Sequence, residues 1–166
     1  MGAGKTSVGK RLAAELKLPF IDTDDAVVSV HGPIPAIFER EGEAGFRARE
    51  LAAVAAALDG EPAVLALGGG AVTHDPTRAL LADGRALRVF LDVPFEVMFS
   101  RLRYSNGVRP MLVHASGEAG ARALYERRLE RYREADVVVD CGRRSSSAVA
   151  KHLAALLRER GPQPAA

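Results

Sequence analysis

Gly2-Ala3-Gly4-Lys5-Thr6 is the first run in the chain whose residue types and spacing suit a particular chemistry. It is the second half of the pattern G-x-x-x-x-G-K-[ST], in which glycines let successive backbone N–H groups turn inward around a phosphate. A helix opening at Lys5 adds its positive end. Lys5 would reach the β- and γ-phosphates of ATP, and the Thr6 hydroxyl would ligate Mg²⁺. Gly2, Ala3, Gly4, Lys5, Thr6 and Ser7 are therefore the candidate ATP-binding residues. The first glycine of the full pattern would fall two residues before Met1, with the strand that carries the loop before that.

A second constellation suits an acceptor. Asp22-Thr23-Asp24 lies where a short apolar strand ends, the place where ligands bind in open α/β sheets. Two carboxylates at this spacing can divide labour. One orients Mg²⁺ through water, while the other accepts a hydrogen bond from a substrate hydroxyl and takes its proton. Asp24 or Asp25 would also serve as a helix cap, which explains at most one of the three acids. Arg47 and Glu50 share a helix face at a spacing of three, so Glu50 can hold the guanidinium; taken alone, such a pair is more often a solvated surface pair. Gly68-Gly69-Gly70 directly follows a strand. Three consecutive glycines cost backbone entropy, which points to a backbone that a ligand approaches closely.

These residues need a frame, and the apolar pattern supplies one. Helices are expected at Lys5 to Leu16, Asp24 to Val30, Pro35 to Glu41 and Glu43 to Leu58, with breaks at Gly32, Pro33 and Gly42. Further helices are expected at Asp75 to Ala82, Pro94 to Arg103, Ala121 to Glu134 and Ser145 to Arg160. Between them lie short strands at Pro19 to Ile21, Ala63 to Leu67, Leu87 to Leu91 and Val137 to Asp140. This alternation predicts a three-layer α/β domain, a parallel sheet with helices on both faces. One domain over 1–160 with a frayed tail over 161–166 is the expected organisation.

Composition excludes several functions. The chain has 166 residues, 48% of them hydrophobic and 27% charged, so it is neither disordered nor a membrane protein by composition. A net charge of +2 with 5% aromatics and no Trp gives nucleic acid little to bind. One cysteine, Cys141, leaves no disulfide framework, and no signal sequence opens the chain, so a cytoplasmic location is expected.

Taken in order, GAGKT, DTD, GE-x-x-FR-x-x-E (Gly42 to Glu50), LGGGAV, VRP and a late R-x-x-x-Y resemble shikimate kinase. GAGKT alone is shared by very many nucleotide-binding proteins, whereas DTD, FR and GGG in this order are specific. The resemblance runs from Met1 to about Leu156. It implies a small P-loop kinase fold with a mobile lid, on which ATP phosphorylates the 3-hydroxyl of shikimate. By similarity, Asp24 would bind the acceptor hydroxyls, Arg47 the shikimate carboxylate, and Gly68, Gly69 and Gly70 would approach the ring, Gly69 most of all. Arg128, four residues before Tyr132, matches the family's second carboxylate-binding arginine, with Arg133 in reserve because Glu130-Arg131 replaces the usual Pro-Leu. Asp22 would join Thr6 at Mg²⁺. Arg109, in a Gly-flanked polar stretch within a lid of about 104–120, would swing over the β–γ bridge and act with Lys5 and Asp24 in catalysis. Arg143 or Arg144 would pack on adenine, with Arg144 preferred. The family's loop commonly has a Met where Met1 stands, which implies that about ten further residues upstream form a short strand and complete the glycine pattern.

Shikimate, a small anion with three hydroxyls, suits two arginines for its carboxylate and one carboxylate for its hydroxyls. A monomer with no nucleic-acid or membrane partner is expected. Two other readings compete with this one: a related small-metabolite kinase such as gluconate kinase or a nucleoside monophosphate kinase, and an inactive P-loop remnant. A nucleotide acceptor would need more cations and a base pocket than the acceptor residues offer.

Overall fold

The computed structural model describes residues 2–103, 117–142 and 144–160. Arg109, most of the expected lid, Arg143 and the 161–166 tail lie outside the described residues. The chain divides into two compact units, one of Lys5–Ala86 with Arg144–Ala166 and one of Met1–Gly4 with Leu87–Arg143.

The larger unit begins with α1 (Lys5–Leu16), followed by β1 (Phe20–Asp22), α2 (Thr23–His31), α3 (Ile34–Leu58) and β2 (Val64–Ala66). A 3₁₀ turn (Ala71–Thr73), α4 (Asp75–Leu81) and a C-terminal helix at Ser146–Arg160 complete it. β1 and β2 pair in parallel, with Asp22 opposite Ala66. The DTD and GGG motifs therefore leave the same end of the ladder. Gly9 is what lets α1 lie close to β1, because a methyl group there would come within 2.5 Å of the Phe20 ring. α1 also packs on the C-terminal helix, and both carry buried residues: Val8, Leu12 and Ala13 on the first, Val149, Ala150, Leu153 and Ala154 on the second.

The break expected at Gly42 is present inside α3: its φ of 66° is left-handed, the region that favours glycine. Phe46 anchors the helix just beyond this kink. It is buried with Val27 and Ile37, and Phe38 stacks obliquely on it with ring centroids 5.1 Å apart.

The smaller unit holds β3 (Val89–Asp92), α5 (Phe95–Arg103), α6 (Gly117–Arg133) and β4 (Val137–Asp140); the C-terminal helix above is α7. β3 and β4 also pair in parallel, from Val89 opposite Val137 to Asp92 opposite Asp140. β3 starts later than the apolar run suggested: the Arg88 backbone N–H donates to the Asp136 carboxylate instead of to a neighbouring strand. α6 starts four residues earlier than expected. Gly117 and Gly120 disguise its first turn, which is held by Arg122 lying over Phe95 at 4.1 Å and pairing with Glu96 and Glu118. Among the described residues no helix is long and apolar enough to cross a membrane.

Candidate active site

The larger unit concentrates charge at the end of its ladder. Asp22, the last residue of β1, is the N-cap of α2 and accepts a hydrogen bond from the Asp24 backbone N–H at 3.1 Å. Its other oxygen accepts from Thr6 Oγ1 at 3.0 Å. The expected metal pair is thus brought together, and the cap is Asp22 rather than Asp24 or Asp25. Asp24, freed from capping, stands half-buried in the first turn of α2.

Thr23 has a role that sequence reasoning missed. It is fully buried, donates from Oγ1 to the Ala66 carbonyl and accepts from the Gly68 N–H at 3.2 Å. One hydroxyl therefore ties the DTD turn to the glycine run. The available signal was a hydroxyl residue between two acids at a strand end.

The glycines prove to be spaces for charged side chains. A methyl group at Gly68 would overlap Glu50 Oε1 and come within 2.8 Å of Asp24 Oδ1. At Gly70 it would overlap the Arg47 guanidinium. A carboxylate and a guanidinium thus lie against the glycine run two residues apart. Arg47 is positioned by its neighbour Phe46, whose ring centroid is 5.3 Å from the guanidinium carbon.

Glu50 is completely buried, and its Oε2 accepts from Arg47 Nη1 at 2.5 Å. Burial pushes the Glu50 carboxyl above its ordinary range, and the nearby Asp24 charge adds to this; the Arg47 bond opposes without prevailing. Among the described residues Glu50 Oε1 has no hydrogen-bond partner. Glu43 closes the other side of the guanidinium, its Oε1 accepting from Nη2 at 3.2 Å and from Nε at 3.4 Å.

The remaining expected residues lie as follows. Gly2 and Gly4 both have left-handed φ, 69° and 84°. A side chain at Gly2 would strike the Met98 carbonyl oxygen at 2.6 Å. Lys5, Thr6 and Ser7 form the first turn of α1. Arg128 is half-buried on α6, one turn before Tyr132, which stacks on Phe90 at 5.3 Å; Arg133 is exposed, so Arg128 is the better anchored of the two. Arg144 is exposed just before α7. Among the described residues no group of three or more His, Cys, Asp or Glu side chains could hold a metal ion.

The family model for shikimate kinase matches residues 1–158. The shikimate kinase of Ruegeria pomeroyi is 44% identical over 140 residues, covering 84% of this chain and 71% of that enzyme. The Nitrobacter winogradskyi shikimate kinase is also 44% identical over 140 residues, 64% of its own length. In three dimensions, shikimate kinase from Acinetobacter baumannii in complex with shikimate superposes with a TM-score of 0.88 at 36% identity, covering 98% of this chain and 91% of that one. With a P-loop α/β fold, an acid and an arginine against a glycine run, and a family match over nearly its whole length, this chain belongs to the shikimate kinase family.

Proposed function

We propose that the chain transfers the γ-phosphoryl group of ATP to the 3-hydroxyl of shikimate, with the residues below in defined roles. It is a phosphotransferase acting on an alcohol group, as its family is. The observation that carries the acceptor assignment is the placement of Arg47 over Gly70 and of Asp24 against Gly68. A cation and a carboxylate on either side of a bare backbone fit a small molecule with a carboxylate at one end and hydroxyls at the other.

In this reading Arg47 receives the shikimate carboxylate and Asp24 accepts a hydrogen bond from the 3-hydroxyl. Gly69 brings backbone within reach of the ring. The hydroxyl oxygen bonds to the γ-phosphorus as the bond to the β–γ bridging oxygen breaks, ADP leaves, and Asp24 takes the hydroxyl proton. The transition state is loose, so positioning and charge neutralisation carry most of the rate. Lys5 and the N–H groups of the Gly2 to Ser7 segment bind the phosphates. Arg109 neutralises the β–γ bridge, Arg128 is the second carboxylate ligand and Arg144 packs on adenine.

Thr6 Oγ1 and Asp22 Oδ2, 3.0 Å apart, are hard oxygen donors of the kind that Mg²⁺ takes alongside phosphate oxygens and water. Mg²⁺ held there would supply charge neutralisation to the β- and γ-phosphates. A cytoplasmic monomer acting on small molecules completes the reading.

The test is to measure ADP formation with and without shikimate and to identify the product by phosphorus NMR. A shikimate 3-phosphate signal appearing in step with ADP is the expected result. ADP formation that is indifferent to shikimate, or faster with gluconate, would remove the acceptor assignment.

A further inference from the structure

Arg47 is held by two carboxylates that differ in almost every physical respect. Glu50 is buried, with a side-chain exposure of 0%, and grips Nη1 at 2.5 Å. Glu43 is 61% exposed and spreads one oxygen over two longer bonds, to Nη2 and Nε. The Nε–Nη2 edge is one of the two parallel N–H pairs with which a guanidinium takes a carboxylate bidentately. The other pair includes Nη1, which Glu50 already holds. Glu43 therefore stands on the edge that an incoming carboxylate needs.

Glu43 also has somewhere else to go. It follows Gly42, whose φ of 66° breaks α3, so it opens a new helical segment. A carboxylate is favoured in the first turn of a helix by the unpaired N–H groups and the dipole there. Among the described residues, outside the helix's own backbone and the adjoining residues, nothing lies within 4 Å of a side chain built on Gly42, so the kink itself is uncrowded. An i,i+4 pair whose carboxylate is mostly exposed contributes little, whereas a bidentate charge-assisted pair contributes more, so the exchange favours the incoming carboxylate.

We propose that Glu43 is a stand-in carboxylate, occupying the Nε–Nη2 edge of Arg47 until the acceptor's carboxylate displaces it, and so setting the affinity and anion selectivity of the site. The proposal rests on the reading that Arg47 receives the acceptor's carboxylate. Its consequence for specificity is that small anions unable to bridge both N–H groups do not dislodge Glu43, whereas a planar carboxylate does.

The experiment compares the whole chain with Glu43→Gln and Glu43→Asp, using shikimate and its neutral carboxamide as acceptors. Gln keeps the shape but removes the competing charge, and Asp is too short to span both nitrogens. Both variants should lower the KM for shikimate by about two- to fivefold, the range of an exposed ion pair. The KM for ATP and the KM for the carboxamide should not move. A raised shikimate KM, or an equal change for both acceptors, would mean that Glu43 steadies Arg47 and would overturn the proposal. Arg47→Lys run in parallel separates the two levels. If it raises the shikimate KM while Glu43→Gln fails to lower it, only the stand-in role falls. If Arg47→Lys leaves the shikimate KM unchanged, the acceptor reading falls and takes the stand-in role with it.

Discussion

Each unit of the molecule contains an arginine bonded to a neighbouring acid, and the two pairs behave in opposite ways. Arg88 and Asp136, with side chains 28% and 34% exposed, join the start of β3 to the residue before β4. Asp136 accepts from the Arg88 backbone and from two nitrogens of its guanidinium, and these bonds hold its carboxyl below the ordinary range. Arg47 and Glu50 are buried, yet the Glu50 carboxyl is pushed up, because burial outweighs its single bond and one oxygen lacks a partner among the described residues. The first pair is satisfied where it stands. The second keeps buried charge beside a bare glycine run, an expense that makes sense where a charged ligand completes the arrangement.

The strongest way to test this contrast is to remove the chemistry beside the buried pair. Asp24→Asn keeps one acceptor but cannot take a proton, and turnover should fall by about 10² to 10⁴. ATP affinity, measured by calorimetry, should hardly change. Near-normal turnover would leave Asp24 as a first-turn acid of α2 and nothing more.

A smaller effect is expected at the guanidinium. Arg47→Lys retains the charge and loses the fork, so about 1.5–3 kcal/mol of charge-assisted bonding is lost, roughly 10- to 150-fold in the KM for shikimate. The KM for ATP serves as the control. If ATP binding weakens instead, Arg47 belongs to the nucleotide side.

Glu50→Gln sharpens the comparison through pH. The folded Glu50 carboxyl lies above the ordinary glutamate value of about 4.5, so the native state binds this proton more tightly than the unfolded chain does. The stability that Glu50 contributes is full below about pH 4.5 and is lost as pH rises through the folded value. Thermal unfolding followed against pH should show the wild type losing ground to Glu50→Gln across that window. At neutral pH the shikimate KM of the variant should rise on the order of tenfold, as Arg47 loses its buried clamp. A stability difference that is flat with pH would remove the burial argument.

The smallest effect belongs to the other pair. Asp136→Ala should cost about 0.5–1 kcal/mol, because the ion pair is partly exposed and screened, and the loss should shrink in high salt. Its pH dependence has the opposite sign. The Asp136 carboxyl is depressed below 3.8, so its contribution is present above that value and fades as pH falls through the folded one. Kinetic constants should not change. A fall in turnover would break the division between a structural and a functional pair.

Much of the scaffold was legible because local rules agreed with the fold. α1 and β4 have the bounds that periodicity assigned, and the Gly42 break followed from glycine's preference for φ values that other residues avoid. Strand ends were less legible, since β3 takes its register from β4, a partner 48 residues away. The start of α6 was hidden because its two glycines read as loop, whereas the Arg122–Phe95 contact there is made with α5, a different element.

The residue types of the site were legible as well. DTD, the Arg47–Glu50 spacing and the three glycines already named an acid, an arginine and a close backbone approach, because these follow from side-chain chemistry and helix period. What each side chain faces was decided only by the tertiary structure. Sequence could not show that Asp22 rather than Asp24 caps α2, that Thr23 bridges two motifs, or that Gly68 and Gly70 make room for Glu50 and Arg47. Those contacts join residues far apart in the chain, and they form only when the β1–β2 register sets the DTD turn beside the glycine run and the Phe46 core turns α3 toward it.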